Sequence, residues 1–195
     1  HVRPEREKCK RDAHRIVWWQ FGEKRPGMRT SLEGLNRYIV TSEVAKHRTF
    51  MFLDWPKSLI DGSVIAITSN DAYVLGILSS TVHLVWTLRM GGTLEDRPRY
   101  NNSLTFWPFP FPALEEGTHK QRIRDLGERL DAHRKRQQEL HPSLTLTGMY
   151  NVLEKVRANE PLTAKEKTIH DQGLITLLQQ LHDELDAAVL EAYGW

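Results

Sequence analysis

Residues 106–112 read FWPFPFP, a run in which three prolines alternate with aromatic residues. A proline lacks the backbone N–H and fixes φ at about −65°, so such a run sits neither inside a helix nor in a central strand. It favours an extended, polyproline-like ribbon, stiff enough to act as a strap or spacer. A chain of 195 residues with this run past its midpoint is expected to divide there. The two sides differ in character, and the expected fold class is α+β. A mixed α/β domain over residues 1–112 precedes a helical hairpin or bundle over residues 113–195.

Before the prolines, RYIVTSE (37–43) and RTFMFLD (48–54) are β-branched and aromatic, and predict two strands joined by a short basic link, Lys46-His47-Arg48. SVIAITS (63–69) is apolar almost throughout, which predicts a third strand buried on both faces. DAYVLGILSSTVHLVWTLRMGG reads as one helix, with Asp71 as N-cap and Gly91-Gly92 as the stop. Trp18, Trp19 and Phe21 read as core anchors, with base stacking as the alternative. Beyond Pro112, Ile123, Leu126 and Leu130 form one helical stripe that His141-Pro142 ends. A second helix starts near Thr147, and Thr163 and Glu166 stand at capping-box spacing. Leu174, Leu177, Leu178, Leu181, Leu185 and Ala188 predict a last helix, while Arg134, Lys135 and Arg136 read as the wet face of an earlier one.

The net charge of +2 becomes informative once divided. Residues 1–48 hold 12 Lys+Arg against 6 Asp+Glu, residues 49–112 hold 4 against 5, and residues 113–195 hold 11 against 14. The concentrated positive charge fits a polyanionic partner, or solvated basic loops. The one cysteine, Cys9, excludes an internal disulfide and fits a reducing cytoplasm. No stretch approaches the ~18 apolar residues of a membrane helix, so no membrane contact is expected. No phosphate-cradling glycine pattern occurs, and Gly91-Gly92 follows a helix rather than a strand. Cys9 and His14 are two candidate metal ligands where a site needs more. Ser79, Ser80 and His83 lack a nucleophile elbow and read as a polar patch on a helix. No catalytic residue and no metal ligand is assigned.

The segment GGTLEDRPRY (91–100) raises the sharpest question. Pro98 blocks helix and pushes Arg97 toward extended backbone. In that geometry Glu95, Arg97 and Arg99 project to one side, and Asp96, Pro98 and Tyr100 to the other. A surface ion-pair turn is one reading. The other is a row that reads base edges, since arginine forks onto guanine O6 and N7 and a carboxylate accepts from cytosine N4. Lys46, His47 and Arg48, exposed on a strand-to-strand link, suit contacts to a phosphate backbone or a solvated turn.

The succession WWQFGEKRP, RYIVTSEVAKHRTFMFLD, SVIAITSNDAYVLGILSSTVHLVW, GGTLEDRPRYNNSLTFWPFPFP and LTGMYNVLEKVRANEPLTAKEKTIHDQGL closely resembles the C-terminal part of the MmeI-like single-chain restriction-modification enzymes. A weaker similarity links LGILSS and the proline-rich stretch to the specificity subunits of type I restriction systems. The resemblance implies a DNA target recognition domain over residues 1–112 and a C-terminal helical domain over 113–195. It implies base reading by Glu95, Arg97 and Arg99, with Asp96 beside them, and a further reading segment near Asp61, Gly62 and Ser63. The implied partners are double-stranded DNA and upstream methyltransferase and nuclease domains of the same cytoplasmic polypeptide. S-adenosylmethionine is implied in that methyltransferase domain and not in this chain, which lacks an Asn-Pro-Pro-Tyr-type tetrapeptide. The chain is thus expected to be a piece of a longer enzyme. The rival expectation is a protein-docking scaffold with the 91–100 segment salt-bridged in an interface.

Overall fold

The computed structural model describes residues 2–20, 25–94 and 97–195. It forms two compact units, one running to Gly34 and the other from Leu35 to Trp195. The first unit holds three short helices, α1 (Val2–Glu7), α2 (Asp12–Ile16) and α3 (Pro26–Ser31). Ion pairs of one helical turn support it, Arg3 with Glu7 at 3.0 Å and Lys8 with Glu5 at 3.1 Å. Trp18 and Trp19 meet edge to face at 5.8 Å, but Trp19 stays 63% exposed, so it is not the core anchor the sequence leads one to expect. Phe21 lies outside the described residues.

In the second unit, β1 (Arg37–Ser42), β2 (Met51–Asp54) and β3 (Val64–Ile67) form an antiparallel sheet in the order β2-β1-β3. Tyr38 faces Leu53 and Val40 faces Met51, while Ile39 faces Ile67 on the other side. The expectation of a doubly buried third strand is corrected by this order. β1 is central, with four consecutive buried residues, whereas β3 is an edge strand that buries only Ile67.

The helix expected over 71–90 is two helices, α4 (Ala72–Ser79) and α5 (Thr81–Met90). Asp71 caps the first by accepting from the Tyr73 N–H at 2.9 Å. Ser80 breaks the run with extended backbone, and its Oγ faces the His83 N–H. α4 is buried on both sides, which is why AYVLGILS is apolar all round. Ala72, Leu75 and Leu78 join Ile39, Phe50, Phe52, Ile67 and Tyr100 in one core, while Tyr73 and Ile77 join a second core among the later helices.

Those helices are α6 (Thr118–Leu140), α7 (Leu146–Arg157), α8 (Ala164–Gly173) and α9 (Ile175–Ala192). Ile123, Leu126, Leu130, Leu178, Leu181, Leu185 and Ala188 are all buried in that second core, and Thr163 with Glu166 closes a full capping box on α8. The C-terminal half is therefore helical, and the fold class is α+β. Packing runs on across Pro112. Gly127 of α6 lies so close to α4 that a Cβ there would sit 2.4 Å from the Ala72 carbonyl oxygen. Arg124 binds Asp71 at 2.8 and 3.1 Å, and the pairing holds the Asp71 carboxyl below the usual carboxylate range. Asp131 accepts the Phe52 N–H of edge strand β2 at 3.2 Å. The wet-face assignment fails at Arg134, whose side chain turns inward, donating to the Leu130 carbonyl at 3.2 Å and the Tyr150 hydroxyl at 3.2 Å.

Candidate functional site

The 91–100 segment folds as a small antiparallel hairpin, β4 (Gly92–Leu94) and β5 (Arg97–Arg99), with Leu94 opposite Arg97 and Gly92 opposite Arg99. Glu95 and Asp96, two of the expected base readers, lie outside the described residues. Along β5 the expected alternation is present: Arg97 and Arg99 are exposed, Pro98 is half-buried, and Tyr100 is buried. Strands of three residues are too short to hold a ribbon in water unaided. The hairpin is held at its base and along the outer edge of β5.

At its base, Gly91 lets the last turn of α5 and the β5 backbone touch. A Cβ there would lie 2.5 Å from the Thr87 carbonyl oxygen and 2.9 Å from that of Arg99. At the same base, on the β5 side, Tyr100 drives into the core, edge to face with Phe50 at 5.4 Å, its hydroxyl 3.1 Å from Nε2 of His83. Burial, reinforced by the Arg48 charge, holds His83 down to about 3, so the imidazole is neutral. Burial pushes the Tyr100 phenol up.

Along the outer edge of β5, residues 43–45 add a partial third strand. Val44 bridges Arg99, the Tyr100 N–H donates to the Glu43 carbonyl at 2.7 Å, and the Ala45 N–H reaches the Pro98 carbonyl at 3.4 Å. The Glu43 carboxylate takes Arg99 through Nε at 2.8 Å and Nη2 at 2.6 Å, which leaves the Nη1/Nη2 edge of the guanidinium able to fork onto a partner. The Glu43 N–H donates in turn to the Ser63 carbonyl at 2.8 Å. The other candidate segment, Asp61-Gly62-Ser63, is thereby brought beside the hairpin, with Asp61 Oδ1 accepting from the Ser63 N–H at 2.8 Å and its hydroxyl at 2.6 Å. Glu43 is a residue that the sequence did not single out.

Lys46, His47 and Arg48 are engaged within the fold. Lys46 Nζ donates to Asn151 Oδ1 at 2.7 Å and Glu154 Oε2 at 3.0 Å, though the side chain stays more than half exposed. His47 Nε2 lies 2.8 Å from the same Asn151 oxygen, and its ring packs on Tyr150 at 5.9 Å. Arg48 turns away from solvent: Nη1 donates to Thr41 Oγ1 at 3.1 Å and to the Ser42 carbonyl, and Nη2 to the Pro98 carbonyl at 3.0 Å. Its guanidinium lies 5.2 Å from the Tyr100 ring centre, and burial lowers its pKa to about 10, leaving it charged at neutral pH. Among the described residues no group of three or more His, Cys, Asp or Glu gathers as metal ligands, and no helix is long and apolar enough to cross a membrane.

A hairpin that presents two arginines, held by a short segment of the sheet domain, is the geometry on which comparison with known proteins can bear. Residues 2–113 match the family model described as MmeI, target recognition domain. The chain belongs to the MmeI target recognition domain family. It is 29% identical over 99 residues to DNA methyltransferase A of Bacillus subtilis (strain 168), a match covering 49% of this chain and 10% of that protein. Its fold is similar to that of the type IIL restriction-modification enzyme MmeI solved in complex with DNA, with a TM-score of 0.65 and 22% identity. That match covers 99% of this chain and 22% of the MmeI chain, so the MmeI-type fold extends through the helices beyond residue 113. The chain spans between about a tenth and a fifth of the length of these relatives.

Proposed function

We propose that this chain is the DNA sequence-recognition module of a longer methyltransferase or restriction-modification polypeptide. The observation that carries the reading is the exposed pair Arg97 and Arg99 on a hairpin braced at its base and along the outer edge of β5, within a chain that belongs to a target recognition family. Two arginines on one face of a ribbon suit the major groove, where each good bidentate contact gives roughly 1–3 kcal/mol of discrimination. Glu95 and Asp96, outside the described residues, are assigned to base reading with them, and Asp61, Gly62 and Ser63 to a second line of contact. Lys46, exposed at the rim, serves the phosphate backbone.

In this reading residues 1–112 recognise and residues 113–195 brace. Val85, Leu88 and Met90 on α5, and Trp195 just past α9, leave apolar surface for the rest of the polypeptide. Adenine methylation belongs to an upstream region that holds S-adenosylmethionine, and no residue of this chain is assigned to that cofactor. Such a region would act on a base taken out of the stack once the module has fixed the register.

The test is selection from a randomised duplex library by the polypeptide that carries this chain, wild type or Arg97→Ala. Loss of discrimination at one defined base pair, by roughly tenfold or more, is expected. An unchanged selected site would overturn the assignment of the hairpin as reader. Affinity for duplex that does not fall with salt would overturn DNA binding itself.

A further inference from the structure

Arg48 is a cation that meets oxygens from two segments distant in sequence. Its Nη1 binds Thr41 Oγ1 and the Ser42 carbonyl, and its Nη2 binds the Pro98 carbonyl and lies 3.5 Å from that of Glu43. Those oxygens come from the end of β1 and from the middle of β5. The residues before it, Lys46 and His47, fasten the same loop to Asn151 and Glu154 on α7. One short loop thus grips the hairpin on one side and the helical half on the other. A guanidinium has five donors in a rigid fork, so it can fix two backbone segments at a set spacing, where a single ammonium cannot.

We propose that Arg48 is a positioning residue for base reading, setting the angle and distance at which β5 presents Arg97 and Arg99 and transmitting the rigidity of α7 to the hairpin. The proposal rests on the reading of the hairpin given above. A forked contact tolerates displacements of only about 0.5 Å, and the hairpin is too short to hold that tolerance unaided. Arg48 acts from behind the ribbon and makes no phosphate contact of its own. This differs from the backbone role that its place in a basic link first implies.

Arg48→Met and Arg48→Lys, made in the polypeptide that carries this chain, separate the possibilities. Amide hydrogen exchange at Ala45 and Tyr100, whose N–H groups bond across to Pro98 and Glu43, reports the bracket directly. Both variants are expected to speed that exchange by about tenfold or more while Ile39 in the central strand stays protected. Library selection with either variant is expected to lose roughly tenfold discrimination at the base pairs that Arg97→Ala and Arg99→Ala relax. The salt slope on random duplex is expected to be kept.

A phosphate role predicts the opposite pattern: Lys substitutes for Arg, and Met lowers the slope by about 0.9 with the selected site intact. That result, or unchanged exchange in both variants, would overturn the proposal. Should Arg48→Met lose protection at Ile39 and so fail to fold, Arg48→Lys carries the test alone. Should exchange accelerate while Arg97→Ala and Arg99→Ala leave the site unaltered, the hairpin is braced but is not the reader. The reading above falls in that case, and Arg48's role in recognition falls with it.

Discussion

Glu43 bonds in three directions: its N–H to Ser63, its carbonyl to Tyr100 and its carboxylate to Arg99. The carboxylate occupies one edge of the Arg99 guanidinium and so selects which edge faces outward. Under the proposed function, Glu43→Ala is therefore expected to weaken discrimination severalfold at the base pair that Arg99→Ala relaxes and to spare the one that Arg97→Ala relaxes. Competition binding with duplexes changed one base pair at a time measures this, and equal loss at both pairs would mean that Glu43 holds the hairpin rather than orients one arginine. Because Arg99 is about half exposed, stability should move by less than about 1 kcal/mol. The projection of Arg97 and Arg99 to one side, opposite Tyr100, was legible in the sequence because Pro98 forces extension. Glu43 was not, since 56 residues separate it from Arg99 and nothing in RYIVTSE marks its last residue. Arg48 was hidden for a similar reason. A basic link reads as solvated until the fold brings the Pro98 carbonyl within reach.

α4 is the element on which both cores depend, and its closest neighbour is α6. The sequence showed the helix and its Asp71 cap, because both are local signals. It did not show the break at Ser80, since serine is tolerated within helices and only the turn to extended backbone, with Ser80 Oγ donating to the Ile77 carbonyl at 2.7 Å, reveals a second start. Nor did it show which strand is central, because edge and centre depend on pairings that no single strand encodes. The glycine at 127 reads as a helix weakness, yet it lets α4 and α6 meet. Two effects compete in Gly127→Ala. Helix propensity favours alanine by about 1 kcal/mol, whereas a Cβ at 2.4 Å from the Ala72 carbonyl oxygen forces the helices apart. The Arg124–Asp71 and Arg37–Glu128 pairs resist that separation, and overpacking of this kind costs roughly 1–3 kcal/mol. Net destabilisation is expected, seen as a lower urea midpoint at unchanged slope. A raised midpoint would show that the helices part freely.

Across the whole chain, burial has placed neutral histidines beside permanent cations. His83 faces Arg48 and Tyr100, and His182 faces Tyr150, Arg134, Arg157 and His133; burial holds both histidines down to about 3. His133, which accepts no second charge so close to Arg134, is lowered by the same cause. In the unfolded chain each would titrate at about 6.5. The native state therefore binds fewer protons than the unfolded state at every pH between those values. Stability is fully present above pH 6.5 and is lost as pH falls below it. The slope is at most about 1.4 kcal/mol per pH unit for each such histidine. Carboxylates held low by partners, such as Asp71 beside Arg124, add their losses only below their own unfolded range near pH 4. The window from pH 6.5 to 4.5 thus isolates the histidines. Urea unfolding across it should show a steady decline, and His182→Gln, which keeps a neutral polar group near Tyr150, should reduce that slope. A slope unchanged by the substitution would mean that His182 is reached by protons in the native state. The decline also reaches the site. His83 packs against Tyr100 beneath β5, so an opening that exposes His83 to protons becomes easier as pH falls, and the protection of the Tyr100 amide, corrected for intrinsic exchange, should decline between pH 6.5 and 4.5.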